Sequence, residues 1–260
     1  PLCLDIDMST RHFGSLHFGV WRSALQTAEQ ALAVVAAVQA SSHVYLDGLM
    51  GYEAQIAGVA DNQPGSTVMN WLLRFLKRRS LPQVAARRQA VVQAIKAAGV
   101  TLRFVNGGGS GSLKSSGGET AVTEVTAGSA FYAPGLFTSY ADYDYYPAAG
   151  FAVQIVRRPR PNIYTCLGGG YVASGSAGAD RLPRPFLPAG ARLMPFEGAG
   201  EVQTPIRYDG PQPLTLGDPI FLRHAKAGEL CEHFNDLHLI AGNQIIDTVK
   251  TYRGAGCSFL

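Results

Sequence analysis

Apolar residues recur along the first half of the chain in two alternating patterns. Short apolar runs that are typical of buried strands occupy residues 2–7, 44–50, 102–105 and 122–125. Residues 27–39 and 67–98 instead carry apolar side chains at helical spacing, with Thr27 as N-cap and Gln30 at the capping-box position. We expect Pro82 to interrupt or kink the second helix. Strands separated by helices predict a parallel sheet with right-handed crossovers.

The second half of the chain loses the helical pattern from about residue 147. Short apolar runs replace it, separated by proline and glycine clusters, at residues 151–156, 163–167, 219–224, 237–240 and 244–249. This pattern predicts an antiparallel β domain. The sequence therefore predicts two domains, residues 1–145 and residues 146–260.

Polar and glycine-rich residues follow each strand of the first half. In a (β/α)₈ barrel the loops at the carboxyl ends of the strands build the active site. Four such strands fit either an open sheet or the second half of a barrel. The chain begins with an apolar strand and without Met, which favours the half barrel. We therefore expect the natural protein to begin further upstream.

The most distinctive loop follows the strand at residues 102–105. Asn106 is followed by Gly107, Gly108, Gly109, Ser110 and Gly111. Backbone N–H groups without a Cβ beside them can hold an anion, most often a phosphate. The alternative is a flexible surface turn, because a glycine run alone is weak evidence.

Two polar side chains follow the preceding strand. Tyr52 can donate a hydrogen bond to a phosphate or pack on a flat ring, and Gln55 offers a donor and an acceptor. We predict both as ligand-binding residues at the same edge of the sheet. The alternative for Tyr52 is a half-buried aromatic that caps the rim of a barrel.

Composition excludes several classes of protein. The formal net charge is +3, and the dense cations at residues 77–79 and 87–88 fall on a predicted helix, where we expect a solvated face. We predict no nucleic-acid partner and no membrane partner, since no apolar run reaches the ~18 residues of a span. Four scattered cysteines without a CxxC motif indicate a reducing, cytoplasmic setting.

A second group of chemically active residues lies in the segment 224–233. His224, Cys231 and His233 combine with two glutamates, and such ligands suit a divalent metal such as zinc. If the segment is extended, His224 shares a face with Lys226, and Cys231 shares one with His233. The alternative is a polar surface strand and turn, because the spacing matches no common zinc motif.

Other polar residues could reach a ligand. Asp5 and Asp7 point the same way from the first strand and could orient a ring nitrogen or an arginine, or only cap a loop. His17 and Arg22 lie in the loop that follows. Lysines are few, and none lies in an apolar strand where burial would lower its pKa. Lys226 comes nearest to such a position.

The chain resembles the D-threonine aldolase/D-serine dehydratase family along essentially its whole length. The resemblance rests on the motifs DIDMS, HFGV, GLMGYEAQIAGV, NGGGSGS, TEVTAGSAFY, EGAGEVQTP and FLRHAKAGELCEHF, in that order. More narrowly, the chain is similar to bacterial amino acid deaminase/aldolase proteins. The resemblance implies the C-terminal part of a pyridoxal 5'-phosphate (PLP)-binding (β/α)₈ (TIM) barrel of alanine-racemase type, followed by an antiparallel β domain.

The resemblance also implies roles for particular residues. The glycine-rich loop Gly107–Gly111 would hold the PLP phosphate, and Tyr52 would lie beside the cofactor. The family's Schiff-base lysine comes from the first barrel strand, and no residue of this chain matches it. A homodimer is expected for this type of barrel.

The metal site of the family that this chain resembles is altered in this sequence. Family members hold a divalent metal, such as Zn or Mn, with a His-x-Cys or His-x-Asp pair. His224 matches the histidine, but the second position falls on Lys226, and Cys231 could substitute only after local rearrangement. Lys226 could instead act as the acid that protonates a leaving hydroxyl. His17 stands where an arginine is usual, and residues 200–203 depart from the family's acidic-acidic-His-Gly motif.

The implied activity is a PLP-dependent lyase reaction on a β-hydroxy D-amino acid. Retro-aldol cleavage gives glycine and an aldehyde, and β-elimination gives a keto acid and ammonia. The alternatives are an amino-acid racemase, whose second base would be a tyrosine such as Tyr164, Tyr171 or Tyr208, and a non-catalytic PLP-binding protein.

Overall fold

The computed structural model describes residues 1–175 and 178–257, and they form two compact units. The first unit contains residues 1–130 and 139–144. The second contains residues 131–138 and the described residues from 145 onward. A short segment before the predicted boundary at residue 145 therefore belongs to the second unit.

The first unit alternates strands and helices. Its strands are β1 (Leu2–Asp5), β2 (Thr10–His12), β3 (Leu16–Phe18), β4 (Leu46–Gly51), β5 (Phe104–Gly107) and β6 (Glu124–Val125). Its helices are α1 (Ala28–Gln39), α2 (Ala54–Ala57), α3 (Thr67–Ala97) and α4 (Leu113–Gly117). A short 3₁₀ helix spans Gly128–Phe131 at the end of this part of the chain, and another, Gly135–Ser139, lies mostly in the second unit. The four strands predicted from the apolar runs are β1, β4, β5 and β6.

These four strands form one parallel sheet in the order β1-β4-β5-β6. In its register Asp5 pairs with Met50, Gly51 with Gly107, and Gly107 with Val125. The carboxyl ends of parallel strands lie at the same edge, so the residues that follow each strand meet there. Strands β2 and β3 form a separate hairpin, which the apolar pattern did not predict because each has only three residues.

One apolar core holds the sheet against its helices. Leu49 and Val105 of the sheet pack with Val35 of α1 and with Val91 and Ile95 of α3. The exposed fraction of these side chains is 4% or less. Burial of this kind contributes about 25 cal/mol per Å² of apolar surface, and it therefore sets where the strand ends lie.

Helix α1 begins with the capping box that the sequence predicts. The Thr27 side chain accepts a hydrogen bond from the Gln30 N–H, and the Gln30 side chain accepts one from the Thr27 N–H. Two N–H groups of the first turn thus gain partners that the helix itself cannot supply.

We expect Thr27→Ala to lower the free energy of unfolding by about 1 kcal/mol, because it removes this cap. Urea denaturation of the chain would measure the change. Thr101→Ala is a matched control, since Thr101 is exposed and its side chain makes no hydrogen bond with the described residues. Equal losses in the two variants would contradict the prediction.

Helix α3 runs from Thr67 to Ala97 with Pro82 inside it. Of the two outcomes predicted for Pro82, an interruption is wrong, because the helix continues through it and buried side chains from Leu76 to Ile95 anchor both halves. A kink at Pro82 stays a prediction. The prediction of a solvated basic face is also wrong in part. Lys77 is 8% exposed and Arg88 is fully buried.

The second unit is built from antiparallel strands. They are β7 (Phe151–Arg160), β8 (Ile163–Leu167), β9 (Arg184–Leu187), β10 (Arg192–Leu193), β11 (Gln203–Arg207), β12 (Pro219–Arg223), β13 (Asp236–Ala241) and β14 (Gln244–Lys250). Six of them form one sheet in the order β10-β11-β8-β7-β12-β9, and β13 pairs with β14 in a hairpin. A 3₁₀ helix spans Ala179–Arg181, and α5 spans Gly228–His233. No helix in the described parts of the chain is long and apolar enough to cross a membrane.

The extended conformation considered for residues 224–233 is wrong, because most of the segment is α5. The Glu229 carboxylate accepts a hydrogen bond of 2.6 Å from the Lys226 N–H and so ties the first turn of α5 to the residues before it. Helix formers without β-branched residues follow it. The alternation of faces predicted for Cys231 and His233 therefore does not apply.

Candidate phosphate and cofactor site

The glycine-rich loop begins where β5 ends, at the carboxyl edge of the parallel sheet. Gly108 has a φ of +89°, a conformation that a side chain would strain, and it turns the chain away from the strand. Gly109 and Ser112 close the turn, because the Ser112 N–H donates to the Gly109 oxygen at 2.9 Å. Among the described residues, the backbone N–H groups of Gly108, Ser110 and Gly111 find no acceptor. Three donors are thus available for an anion.

Close packing, and not only flexibility, explains the glycines of this loop. A Cβ added to Gly109 would lie 2.9 Å from both Ala57 and the Tyr52 ring. A Cβ added to Gly111 would lie 2.5 Å from the Ala57 oxygen and 2.6 Å from the Tyr140 ring. Ordinary contacts begin near 3.4 Å, so there is no room for a side chain at Gly109 or Gly111. This packing disfavours the alternative of a flexible surface turn.

The donor set of the loop fits a phosphate group. It consists of three backbone N–H donors without an acceptor in the described chain, while the Ser110 hydroxyl donates a hydrogen bond of 2.9 Å to the Ala127 oxygen and so holds the loop in place. Tyr52 contacts the loop beside these donors. The residues predicted as a phosphate site from the sequence are therefore brought together within the first unit.

Tyr52 lies between the loop and a small cleft at the ends of β1 and β4. Burial raises the pKa of the Tyr52 hydroxyl, and the Arg22 guanidinium, 5.5 Å from the ring centre, offsets part of this effect. The phenol is thus held neutral and can donate a hydrogen bond. Asp5, Asp7 and Met50 also line the cleft.

The two acidic residues at the end of β1 have different surroundings. Asp7 is buried, and it accepts hydrogen bonds from the Ser9 N–H (2.7 Å), the Ser9 hydroxyl (2.9 Å) and Gln26 (2.7 Å). It therefore caps the loop that follows. Asp5 lines the cleft, where burial raises the pKa of its carboxyl group and Arg22 lowers it. Asp5 and Arg22 are the charged pair available to a bound molecule.

Gln55 and His17 both contact other residues of the first unit, and ligand binding by Gln55 stays a prediction. The Gln55 amide donates 2.6 Å to the Met8 oxygen, while its own oxygen has no hydrogen-bond partner in the described chain. It therefore ties α2 to the segment after β1. His17 stacks on Trp21, with ring centres 3.8 Å apart.

A buried ionic network beneath the loop was not predicted from the sequence. The Glu53 carboxylate accepts hydrogen bonds of 2.6 Å from both Ser112 and Ser116, and one of 2.8 Å from Arg88. Arg88 also donates to the Gly51 oxygen at 3.0 Å and forms an ion pair with Glu119. We call these residues the Glu53–Arg88 network. The position of Glu53 next to Tyr52 was the only sequence signal for it.

The predicted metal residues lie in the second unit. His224 is fully buried, neither ring nitrogen has a hydrogen-bond partner of normal geometry in the described chain, and Tyr132 packs edge-on at 5.9 Å. Burial lowers the pKa of His224 to about 4, although the Ala149 backbone offsets part of this. Burial raises the pKa of the Cys231 thiol, and a hydrogen bond with Tyr132 opposes the effect. The Lys226 ammonium donates to the Ser174 oxygen at 3.3 Å and to its hydroxyl at 3.2 Å.

The donor set around His224 does not by itself fit a metal. No group of three His, Cys, Asp or Glu side chains converges within residues 1–175 and 178–257. A raised thiol pKa also opposes the thiolate form that binds zinc. The unpaired imidazole nitrogens remain the one feature that fits a ligand, so metal binding by His224 and Cys231 stays a prediction.

Three solved structures show which fold the chain has. D-threonine aldolase from Filomicrobium marinum superimposes with a TM-score of 0.72 and 16% identity, covering 92% of this chain and 62% of that one. D-threo-3-hydroxyaspartate dehydratase from Delftia sp. HT23 superimposes with a TM-score of 0.60 and 18% sequence identity. The match covers 96% of this chain and 65% of the dehydratase. Alanine racemase from Clostridium difficile 630, in complex with cycloserine, superimposes with a TM-score of 0.54 and 13% sequence identity. The match covers 96% of this chain and 65% of the racemase.

The chain therefore has the fold shared by these enzymes. The resemblance stated from the sequence is confirmed at this level, because the structural neighbours are a D-threonine aldolase, a related dehydratase and an alanine racemase. No protein-family model matches the chain. No curated protein matches it either. The chain spans about 62–65% of the length of these structures.

Proposed function

We propose that this chain carries the phosphate site of a PLP-dependent lyase that acts on β-hydroxy D-amino acids. One observation carries the proposal. Three backbone N–H groups without an acceptor in the described chain lie at the carboxyl edge of a parallel sheet, in a loop whose packing leaves no room for a side chain at Gly109 or Gly111. The similarity of the fold to D-threonine aldolase and D-threo-3-hydroxyaspartate dehydratase supports it.

In this proposal each residue of the first unit has a physical task. Gly108, Ser110 and Gly111 donate hydrogen bonds to the phosphate. Tyr52 packs beside the loop and keeps its proton, since burial raises its pKa. Arg22 is the cation of the cleft and favours a negative group of the substrate there.

The cofactor supplies the electron sink that weakens the bonds at Cα of an amino acid. The lysine that would hold the cofactor covalently has no match in this chain. We propose that the four-stranded sheet is part of a (β/α)₈ barrel. Lys226 stays the proposed acid for a leaving hydroxyl. No step is assigned to a metal, because the described donors around His224 do not form a complete set.

Binding of a phosphorylated vitamin tests the phosphate site directly. Pyridoxine 5'-phosphate and pyridoxine differ only in the phosphate, and neither has the aldehyde that would react with surface lysines. We expect calorimetry to show that the chain binds the phosphorylated form at least about tenfold more tightly, since hydrogen bonds to a charged group contribute about 1.5–3 kcal/mol. Equal affinities would overturn the proposal.

Assays of the full-length protein test the reaction. D-threonine and D-serine should be consumed in the presence of PLP, with glycine and an aldehyde as products of cleavage, or a keto acid and ammonia as products of elimination. The same assay with EDTA tests the metal. Activity that is indifferent to chelation would remove the metal from the mechanism.

The racemase alternative gains no support from its candidate tyrosines. Tyr164 and Tyr208 are each 4% exposed and belong to the apolar core of the second unit. Tyr171 packs on Phe151 and His233, with ring centres 5.0 and 4.2 Å away. Because Tyr164 and Tyr208 are buried in this core, their hydroxyl groups are poorly placed to reach a substrate.

A further inference from the structure

The Glu53–Arg88 network joins the two segments that form the candidate phosphate site. One segment is the end of β4, where Gly51 and Glu53 flank Tyr52. The other is the glycine-rich loop with its continuation into α4. Arg88, from α3, donates to the Gly51 oxygen and to the Glu53 carboxylate, and that carboxylate accepts from Ser112 of the loop.

We propose that Arg88 is a positioning residue that sets the glycine-rich loop against Tyr52. The inference rests on the proposed function, since it concerns the same phosphate site. Arg88 touches no bound group in this scheme. It acts through Glu53 on one side and through Glu119 on the other.

The geometry shows how a change at Arg88 reaches the loop. Gly107, the first residue of the loop, lies against the guanidinium, because a Cβ added there would be 3.1 Å from the Arg88 Cζ. Ser112 connects the carboxylate to the turn, since its hydroxyl accepts from the Gly109 N–H at 3.1 Å. A shift of Glu53 would therefore move the residues that carry the free N–H donors.

The burial of Arg88 and Glu53 indicates that this ion pair orients the groups around it, because burying charges costs free energy. Arg88 is 0% exposed and Glu53 is 1% exposed. Apolar residues of similar volume often stabilise a fold as well as a buried ion pair does. A guanidinium, however, presents several donors in a rigid plane, and here it contacts Gly51, Glu53 and Glu119 together. A lysine at this position has no planar fork to hold three acceptors in fixed directions.

The test separates positioning from mere stability. The ratio of the dissociation constants of pyridoxine and pyridoxine 5'-phosphate measures the contribution of the phosphate alone. A general loss of structure weakens both ligands and leaves the ratio unchanged. Displacement of the loop lowers the ratio.

We expect Arg88→Met to lower this ratio about tenfold, the loss of roughly one hydrogen bond to a charged group. This variant leaves Glu53 buried without its cation, and it can fail to fold. The double variant Glu53→Gln, Arg88→Met removes the buried Glu53–Arg88 pair and leaves only Glu119, which is 11% exposed, without its cation. The new amide oxygen can still accept from Ser112. We expect the double variant to fold and to show the same fall. Arg88→Lys should give a smaller fall, because it keeps the charge without the fork.

Ser80→Ala is the matched control, because Ser80 is a fully buried polar residue of the same helix. Its hydroxyl contacts Thr10 and His12, and no residue of the loop. We expect this variant to keep the ratio of the unmodified chain. An unchanged ratio in the folded double variant, or an equal fall in Ser80→Ala, would overturn the inference alone. If the unmodified chain shows no preference for the phosphate, the proposed function fails and this inference fails with it.

Discussion

Gly111→Ala is expected to weaken binding of pyridoxine 5'-phosphate by about 10- to 100-fold. The new methyl group would lie 2.5 Å from the Ala57 oxygen and 2.6 Å from the Tyr140 ring. Overpacking of this kind costs about 1–3 kcal/mol, and the loop would relieve it by moving away from α2. The Gly111 N–H would then leave the position in which it can donate to the phosphate. Calorimetric titration of the chain measures the effect.

A second glycine of the same region gives the control. Gly117→Ala places its methyl group in free space, because the nearest atom is a Val125 methyl at 3.9 Å. Gly117 also lies in α4, where alanine is the better helix former. This variant should bind as tightly as the unmodified chain. If both variants bind equally well, the phosphate does not lie in the glycine-rich loop.

Acid should destabilise the chain by about 3 kcal/mol through His224 alone. An unfolded histidine has a pKa near 6.5, and burial lowers the pKa of His224 to about 4. Between these values the unfolded chain binds a proton that the folded chain does not, so stability falls as the pH falls from 6.5 to 4. Above pH 6.5 the imidazole is neutral in both states, and its contribution no longer changes.

The variant His224→Leu should abolish this part of the pH dependence. Urea denaturation at pH 4, 5, 6 and 7, with EDTA present to exclude metal binding, would measure it. His238→Gln is the control, since His238 is an exposed histidine of the β13–β14 hairpin in the same unit. A pH dependence that survives His224→Leu unchanged would contradict the prediction.

The Glu53–Arg88 network is a buried polar cluster that contacts the glycine-rich loop through Ser112. Two carboxylates, one guanidinium and two hydroxyls hydrogen-bond to one another beneath Gly107 and Gly109, and of the guanidinium only the Arg88 Nε–H has no partner in the described chain. Such a network is favourable only when its members are paired. We therefore expect substitutions at Glu53 or Arg88 to affect both the stability of the first unit and the affinity for phosphate.

The sequence alone determined the elements that depend on local patterns. The apolar runs identified the four parallel strands, and the Thr27–Gln30 pair identified the start of α1. The glycine-rich loop was identified from the sequence because a glycine run directly after a strand exposes backbone amides that can hold an anion. The resemblance to the D-threonine aldolase family predicted the fold that the structural neighbours share.

Only the tertiary structure decided the features that depend on distant contacts. Arg88 belonged to a cation cluster that the helix pattern placed in solvent, yet it is buried because Glu53 and Glu119, 35 and 31 residues away in sequence, converge on it. Residues 228–233 form the short helix α5, and the Glu229 carboxylate accepts a hydrogen bond from the Lys226 N–H just before it. The Gln55 side-chain amide donates a hydrogen bond to the backbone oxygen of Met8, 47 residues away in sequence. Partners so far apart leave no periodic trace in a sequence, since folding alone brings them within hydrogen-bond distance.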